Sequence, residues 1–349
     1  MFKDIIKILN ENTAAIITSF ANRKYLSGFT SSEGLIVVTK GKAVLFTDSR
    51  YFEAAEKQVK DLEVRLFTGL IGVKEYLDSQ NISKILIEAD EVSVTNLKAY
   101  RKAFGIVVSG SGELSKVLRS CRMVKNQNEI DNIIAAQKIT DAAFSHILNF
   151  IKAGLSEKEI ALELEFFMRK MGSEGVAFDT IVVSGKNSSL PHGVPSDKKI
   201  HSGDFVTMDF GAVVNGYRSD MTRTVAVGAV SNEQKAVYET VLKAQKAALN
   251  EIKSGKTCSD IDKTARDIID VNYKGAFGHA LGHSVGLDIH EHPNFSPKCN
   301  ERLKENMVLS VEPGIYLPEK FGVRIEDLVI VKKEGIVNIT KSPKELIIL

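Results

Sequence analysis

Residues 205–227, FVTMDFGAVVNGYRSDMTRTVAV, hold two β-rich runs joined by Asn215-Gly216, the dipeptide favoured in a two-residue type I′ hairpin. Such a turn sets the register, so that Val214 opposes Tyr217, Gly211 opposes Asp220 and Asp209 opposes Thr222. Strand alternation then puts Asp209, Asp220 and Thr222 on one face, with the two aspartates as diagonal neighbours roughly 7–8 Å apart at their backbones. Two carboxylates at that spacing are within joint reach of one or two cations. An exposed polar hairpin face is the plainer explanation. Asp209 argues against it, because it stands inside the apolar run FVTMDF, where an unpaired buried charge is costly.

Downstream, residues 275–293, GAFGHALGHSVGLDIHEHP, carry four of the seven histidines: His279, His283, His290 and His292. Gly282-His283-Ser284-Val285-Gly286 has the letters of a serine nucleophile elbow, but that elbow needs a strand before it and a helix after it. Here Gly and Ala precede, Pro293 follows, and no histidine lies beyond His292. A zincin is excluded too, since His290-Glu291-His292 does not space two histidines by one helical turn around a glutamate. What remains is a histidine acting as one ligand of a carboxylate-rich metal centre, with other histidines handling protons and substrate oxygens. Residues 303–331, LKENMVLSVEPGIYLPEKFGVRIEDLVIV, supply the further acids, Glu312 and Glu326, in two more β-rich runs with a loop between. Either glutamate alone would be explained by pairing with Arg324. Two glutamates, two aspartates and a histidine, all in apolar settings, point to a shared cation.

The rest of the chain frames this set. Its 349 residues suggest about two domains, and 44% hydrophobic with 26% charged residues predicts folded cores without disorder. A net charge of +2 gives no one-signed field for nucleic acid or an anionic membrane surface. No run reaches the ~18 uncharged apolar residues of a spanning helix. Lys3, Asp4, Lys7 and Glu11 interrupt any signal-peptide core, and Cys121, Cys258 and Cys299 form no CxxC pair, so a reduced, cytoplasmic protein is expected. The first 120 or so residues alternate short apolar runs with helical patterns, an α/β domain. The segment 119–126, RSCRMVKN, breaks the periodicity and sets the boundary, giving domains 1–122 and 123–349. Gly110-Ser111-Gly112 follows the run IVV but has Ser115 further on and no evident helix start, so it is read as a turn and not a dinucleotide site. His146 and His201 are read as structural or surface residues. In the second part, IKAGLSEKEI from Ile151 and IKSGKTCSDI from Ile252 repeat a glycine, a helix cap and an isoleucine, with capping boxes expected at Ser156/Glu159 and Thr257/Asp260. Two similar helix pairs feeding strands imply one domain with an internal pseudo-two-fold.

With MDFG (Asp209), SDMTRT (Asp220), GHSVG (His283), VEPG (Glu312) and RIED (Glu326) in this order, the chain resembles the pita-bread metallopeptidases. That family includes methionine aminopeptidase, Xaa-Pro aminopeptidase and Xaa-Pro dipeptidase (prolidase). The segments 25–34, YLSGFTSSEG, and 48–55, DSRYFEAA, resemble the creatinase-type N-terminal domain of the proline-specific members. The implied fold is α+β: a creatinase-type α/β domain followed by a pita-bread catalytic domain. The resemblance implies that Asp209, Asp220, His283, Glu312 and Glu326 hold two divalent metal ions. It also implies catalytic roles for His192, beside the reacting amide, for His290, which steadies the tetrahedral intermediate, and for Glu312 (or Glu326) as general base. Ser284 stands where many members have glycine. A ligand set of carboxylates and one imidazole without thiolate suits Mn(II) first, then Co(II), Zn(II) or Fe(II). The implied activity is Xaa-Pro aminopeptidase on small peptides with proline second, with prolidase as the alternative and a metal-free binding protein as a third reading. A homodimer is implied by the same resemblance. Phe178 and Ile181 are candidates for the proline pocket, and Arg324 for orienting a ligand carboxylate or a substrate carbonyl.

Overall fold

A computed structural model of the chain describes residues 2–349 and divides into two units, Met1–Arg122 and Met123–Leu349. In the first unit six strands, β1 (Thr13–Ile17), β2 (Leu35–Val38), β3 (Ala43–Thr47), β4 (Glu63–Leu66), β5 (Lys84–Glu88) and β6 (Val107–Ser111), form one mixed sheet in the order β4-β3-β2-β1-β5-β6. Helices α1 (Phe2–Lys7), α2 (Phe20–Ser27), α3 (Phe52–Gln58), α4 (Leu70–Ser79), α5 (Val94–Phe104) and α6 (Gly112–Met123) are interspersed. The central strands β1 and β2 are buried at every position and apolar at all but Thr13, because both faces are covered. Ala15 and Ile17 enter one core with Val38 and Leu86, while Ala14 and Ile16 enter a second with Val37 and Ile87. One expectation fails here. A helix does start at Gly112, its first turn capped by the Ser111 hydroxyl, which accepts from the Leu114 N–H at 3.1 Å. Glycine at the first position hid it.

The second unit begins with α7 (Gln127–Ile147), whose capping box pairs Asn126 with Glu129, and α8 (Glu157–Lys170), capped by Ser156 with Glu159. Strands β7 (Ile181–Ser184), β8 (Phe205–Phe210), β9 (Val213–Val214), β10 (Tyr217–Arg218) and β11 (Met221–Ala226) follow. The Asn-Gly hairpin forms in the register its turn dictates: Val214 pairs with Tyr217, Asp209 with Thr222, and no bulge intervenes in β8/β11. β7 adds to β8 with Ile181 opposite Asp209, so Ile181, Asp209 and Thr222 stand in one row. Next come α9 (Asn232–Glu251), α10 (Cys258–Tyr273), β12 (Gly282–Ser284), β13 (Glu291–Phe295), β14 (Val308–Val311), β15 (Gly314–Leu317), β16 (Phe321–Arg324), β17 (Asp327–Val331) and β18 (Ile336–Asn338). They give a five-stranded sheet in the order β13-β12-β14-β17-β18. The stretch between Glu312 and Glu326, expected as a loop, is the hairpin β15/β16.

The internal repeat is visible in the backbone. Gly154 and Gly255 adopt φ of 93° and 90°, a region open to glycine without Cβ strain. Their N–H groups donate to Ile200 at 2.9 Å and to Leu303 at 2.8 Å, and Ser156 bridges Lys199 as Thr257 bridges Arg302. The side-chain caps differ. Thr257 gives its hydroxyl to the Asp260 carboxylate and caps no backbone N–H, so the second expected capping box does not form. Aspartate is one methylene shorter than the glutamate or glutamine that such a box uses. His146 stacks on Phe167 and bonds Glu163 at 2.6 Å, and His201 is exposed.

Candidate metal centre

The β8/β11 pairing carries Asp209 and places Asp220 just ahead of β11. The second half of the unit answers with His283 in β12, Glu312 directly after β14 and Glu326 directly before β17. Acids at strand ends keep the apolar ladders intact while their side chains converge. Ligand atoms of Asp220, His283 and Glu326 all lie within 4.8 Å of one another. His283 Nε2 is 3.5 Å from Asp220 Oδ2 and 3.3 Å from Glu312 Oε1, and its Nδ1 lies 3.3 Å from the Ser284 carbonyl oxygen. The second nitrogen is thereby turned to the backbone and the first into the cluster, the arrangement of a metal-ligating imidazole. Ser310 ties two of these residues together: its hydroxyl accepts from the His283 N–H and donates to Glu312 Oε1, both at 3.0 Å.

Asp209 sits at the edge of this group and is held by Arg324, whose Nη2 donates to Oδ2 at 2.7 Å. The Arg324 guanidinium is buried and spends its other nitrogens on Thr222 Oγ1 (3.0 Å), Tyr316 Oη (2.9 Å) and the Pro191 carbonyl (3.2 Å). Thr222 in turn donates to Glu326 Oε2 at 2.8 Å. Behind them, Arg223 on the opposite face of β11 grips the Thr222 and Glu326 carbonyls and Asp327.

The electrostatics call for a cation. Burial pushes Asp220 well above the usual carboxylate range, with Glu326, Asp209 and Glu312 adding repulsion. Burial does the same to Glu326, with Glu312 and Asp209 repelling, and raises Asp209 against the pull of Arg324. Glu312 goes the other way: burial works against its charge, but the His283 hydrogen bond and charge, with His279 and Arg324, hold it at about 2. Four carboxylates so crowded cannot all ionise without added positive charge. Asp209 Oδ1 and Glu326 Oε1 are buried with no hydrogen-bond partner, a costly state for an acceptor unless a metal takes it. The donor set of carboxylates and imidazole therefore fits hard or borderline divalent ions.

Two histidines rim the cluster from loops. His290 reaches solvent, its ring edge-on to His283 with centroids 4.4 Å apart, and the partial burial of that ring, followed by the His283 charge, lowers its pKa. His192 is exposed on the loop between the 3₁₀ turn at Gly185–Ser189 and β8, next to Pro191, whose carbonyl accepts from Arg324 Nη1. That loop is fastened from below by Glu157, fully buried at the start of α8. Its carboxylate accepts from the Ser184 N–H and hydroxyl (2.7 and 2.9 Å), from Asn187 Nδ2 (3.2 Å), and from the Ser196 N–H and hydroxyl (3.1 and 2.6 Å). Phe178 and Ile181 are half-buried and lie outside the apolar cores, with Ile181 on the face that bears Asp209. Sequence reasoning passed over Tyr316, which links His279 Nε2 (2.9 Å) to Arg324, and over Ser310 and Glu157. Only the alternation through GIYL placed Tyr316 on a definite face, and nothing local marked the other two.

Residues 131–333 match metallopeptidase family M24, and residues 5–124 match the creatinase/prolidase N-terminal domain. The chain belongs to metallopeptidase family M24. Among solved structures it is similar to an Xaa-Pro dipeptidase from Bacillus anthracis, with 43% identity and a TM-score of 0.93 over 96% of this chain and 95% of that one. It is likewise similar to an X-Pro aminopeptidase from Thermotoga maritima, with 40% identity and a TM-score of 0.91 over 99% and 100% of the two chains. The Xaa-Pro dipeptidase of Pyrococcus horikoshii is 37% identical over 99% of this chain and 98% of its own length. The serine-hydrolase exclusion fits this M24 fold, since Ser284 lies buried in β12 with a loop, and no helix, after it. Among the described residues no helix is long and apolar enough to cross a membrane.

Proposed function

We propose that the chain hydrolyses the bond between an N-terminal residue and a following proline in small peptides, with two divalent ions held by Asp209, Asp220, His283, Glu312 and Glu326. The observation that carries this is the convergence of buried, mutually repelling carboxylates on His283, with two acceptor atoms left without partners. Bound there, the ions, manganese first, supply an activated water and a Lewis acid for the scissile carbonyl. Glu312 accepts a proton from the attacking water, His192 delivers one to the proline nitrogen as it leaves, and His290 donates to the carbonyl oxygen as charge develops there. Arg324 acts as a positioning residue, since its guanidinium is spent on Asp209, Thr222 and Tyr316.

The bond before proline has no N–H, so the site must accept a tertiary amide and a ring of fixed φ. Phe178 and Ile181 offer the apolar wall for it. Aminopeptidase action on tripeptides and longer peptides is the first reading. The names of the Bacillus and Pyrococcus relatives favour the dipeptidase as the second. Comparing kcat/KM for Ala-Pro, Ala-Pro-Ala and Ala-Ala-Ala in manganese separates them: preference for Ala-Pro makes the enzyme a dipeptidase, and equal use of Ala-Ala-Ala removes proline specificity. Full activity in strong chelator would remove the metal from the reaction. The working form proposed is a homodimer, which a monomeric mass by light scattering would exclude.

A further inference from the structure

Lys125 lies in the short break between α6 and α7, and its side chain is only 1% exposed. Its backbone N–H donates to the Asn306 carbonyl at 3.0 Å, and its ammonium donates to Ser284 Oγ at 2.8 Å and to Glu291 Oε2 at 3.2 Å. Those two residues directly follow His283 and His290. A buried ammonium is expensive unless it is well paired, and this one is spent on joining two neighbours of the metal centre.

The join falls at a register shift between β12 and β13. His283 pairs with Asn294, but Ser284 pairs with Glu291, so the β12/β13 register jumps between adjacent residues. An irregularity of this kind disrupts the ladder locally and leaves residues without a strand partner. Beyond it, residues 285–290 fold back around the Glu291 carboxylate. The Asp288 N–H donates to Glu291 Oε1 at 3.3 Å and the Gly286 N–H to the Asp288 carbonyl at 3.0 Å. A Cβ at Gly286 would meet that carboxylate at 2.5 Å, so the turn and Glu291 are in direct contact. His290 leaves this turn with no hydrogen bond to its ring among the described residues, and its ring stands edge-on to that of His283.

We propose that Lys125 is a positioning residue for the peptidase reaction, its ammonium clamping Ser284 to Glu291 and so fixing His290 against His283. This rests on the reading that His290 serves the chemistry. The Ser284 hydroxyl supplies one acceptor for the Lys125 ammonium.

The test is a double-mutant cycle on the full-length, manganese-loaded enzyme with Ala-Pro-Ala, or Ala-Pro should that be preferred. Lys125→Met is expected to lower kcat between about 10- and 100-fold, the scale of a catalytic group displaced by an ångström, with KM within about twofold and bound metal unchanged. In a His290→Ala background the same substitution is expected to cost less than about twofold, because the two act as one unit. An equal loss in both backgrounds, an unchanged kcat, or a loss that tracks lost metal would overturn the proposal. If His290→Ala alone leaves kcat unchanged, the role of His290 falls and the proposal with it, whereas additivity removes the proposal only. Should Lys125→Met not fold, Ser284→Ala carries the same cycle, with a smaller fall in kcat expected and additivity again decisive.

Discussion

In the first half of the M24 unit the loop bearing His192 is fastened by an anion; in the second, the turn bearing His290 is fastened by a cation. Glu157 collects donors from Ser184, Asn187 and Ser196, and its place at the start of α8 adds a favourable helix field. Lys125 sits in the break between α6 and α7 and spends its charge on Ser284 and Glu291. The backbone obeys the repeat closely, down to the Gly154 and Gly255 hydrogen bonds, yet the buried ions behind the two histidines are unrelated. Main-chain geometry follows from the shared pattern of glycine, cap and strand. Each side-chain hub answers only to the groups its own loop turns inward, donors in one case and acceptors in the other.

What the halves share is the centre itself, and the largest effect belongs there. Asp220→Ala, from the first half, and His283→Ala, from the second, are each expected to empty the site and to lower kcat/KM by about 10³ or more, the loss of several kcal/mol of Lewis-acid stabilisation. Metal analysis and kinetics on the same samples check it. Retained metal in one variant and not the other would mean that one half suffices.

Next in size are the two readouts of the anionic hub. His192→Ala is expected to lower turnover by about 10²–10³ with metal retained. Glu157→Ala leaves a cluster of buried donors without an acceptor and should cost about 3 kcal/mol of unfolding free energy in urea. A Glu157→Ala protein as stable as the parent would break the picture of a loop held by one carboxylate.

The smallest effect is at the helix caps. Glu159 is held at about 2 by the Ser156 N–H, then by the Ser156 hydroxyl and Lys199. Its folded-state pKa lies below the usual 4.5. Its contribution is therefore complete above that value and is lost as pH falls toward about 2. The urea midpoints of parent and Glu159→Ala should differ at pH 7 and converge as pH drops from 4.5 toward 3. Asp260→Ala, in the half where no capping box forms, should shift the midpoint less than Glu159→Ala at pH 7. An equal shift would erase the asymmetry of the two caps.

The sequence by itself determined everything that rests on local rules. Asn215-Gly216 imposes the hairpin register, and with it the shared face of Asp209 and Thr222, because a two-residue turn admits one pairing. The acids of the centre were legible because charges inside apolar runs are costly, and the repeat because glycine, cap and isoleucine keep their spacing. The helix start at Gly112 was missed because glycine is a poor helix former and its cap is a single serine. The gathering of the centre was decided by tertiary structure alone. No local rule says that His283, 63 positions beyond Asp220, brings its Nε2 within 3.5 Å of that carboxylate. Nor does any local rule say that Arg324 turns onto Asp209, or that Lys125 and Glu157 are buried behind two histidine loops. Such partners are set by which strand ends meet in space, and a buried ion's role depends on the groups that surround it, which lie far away along the chain.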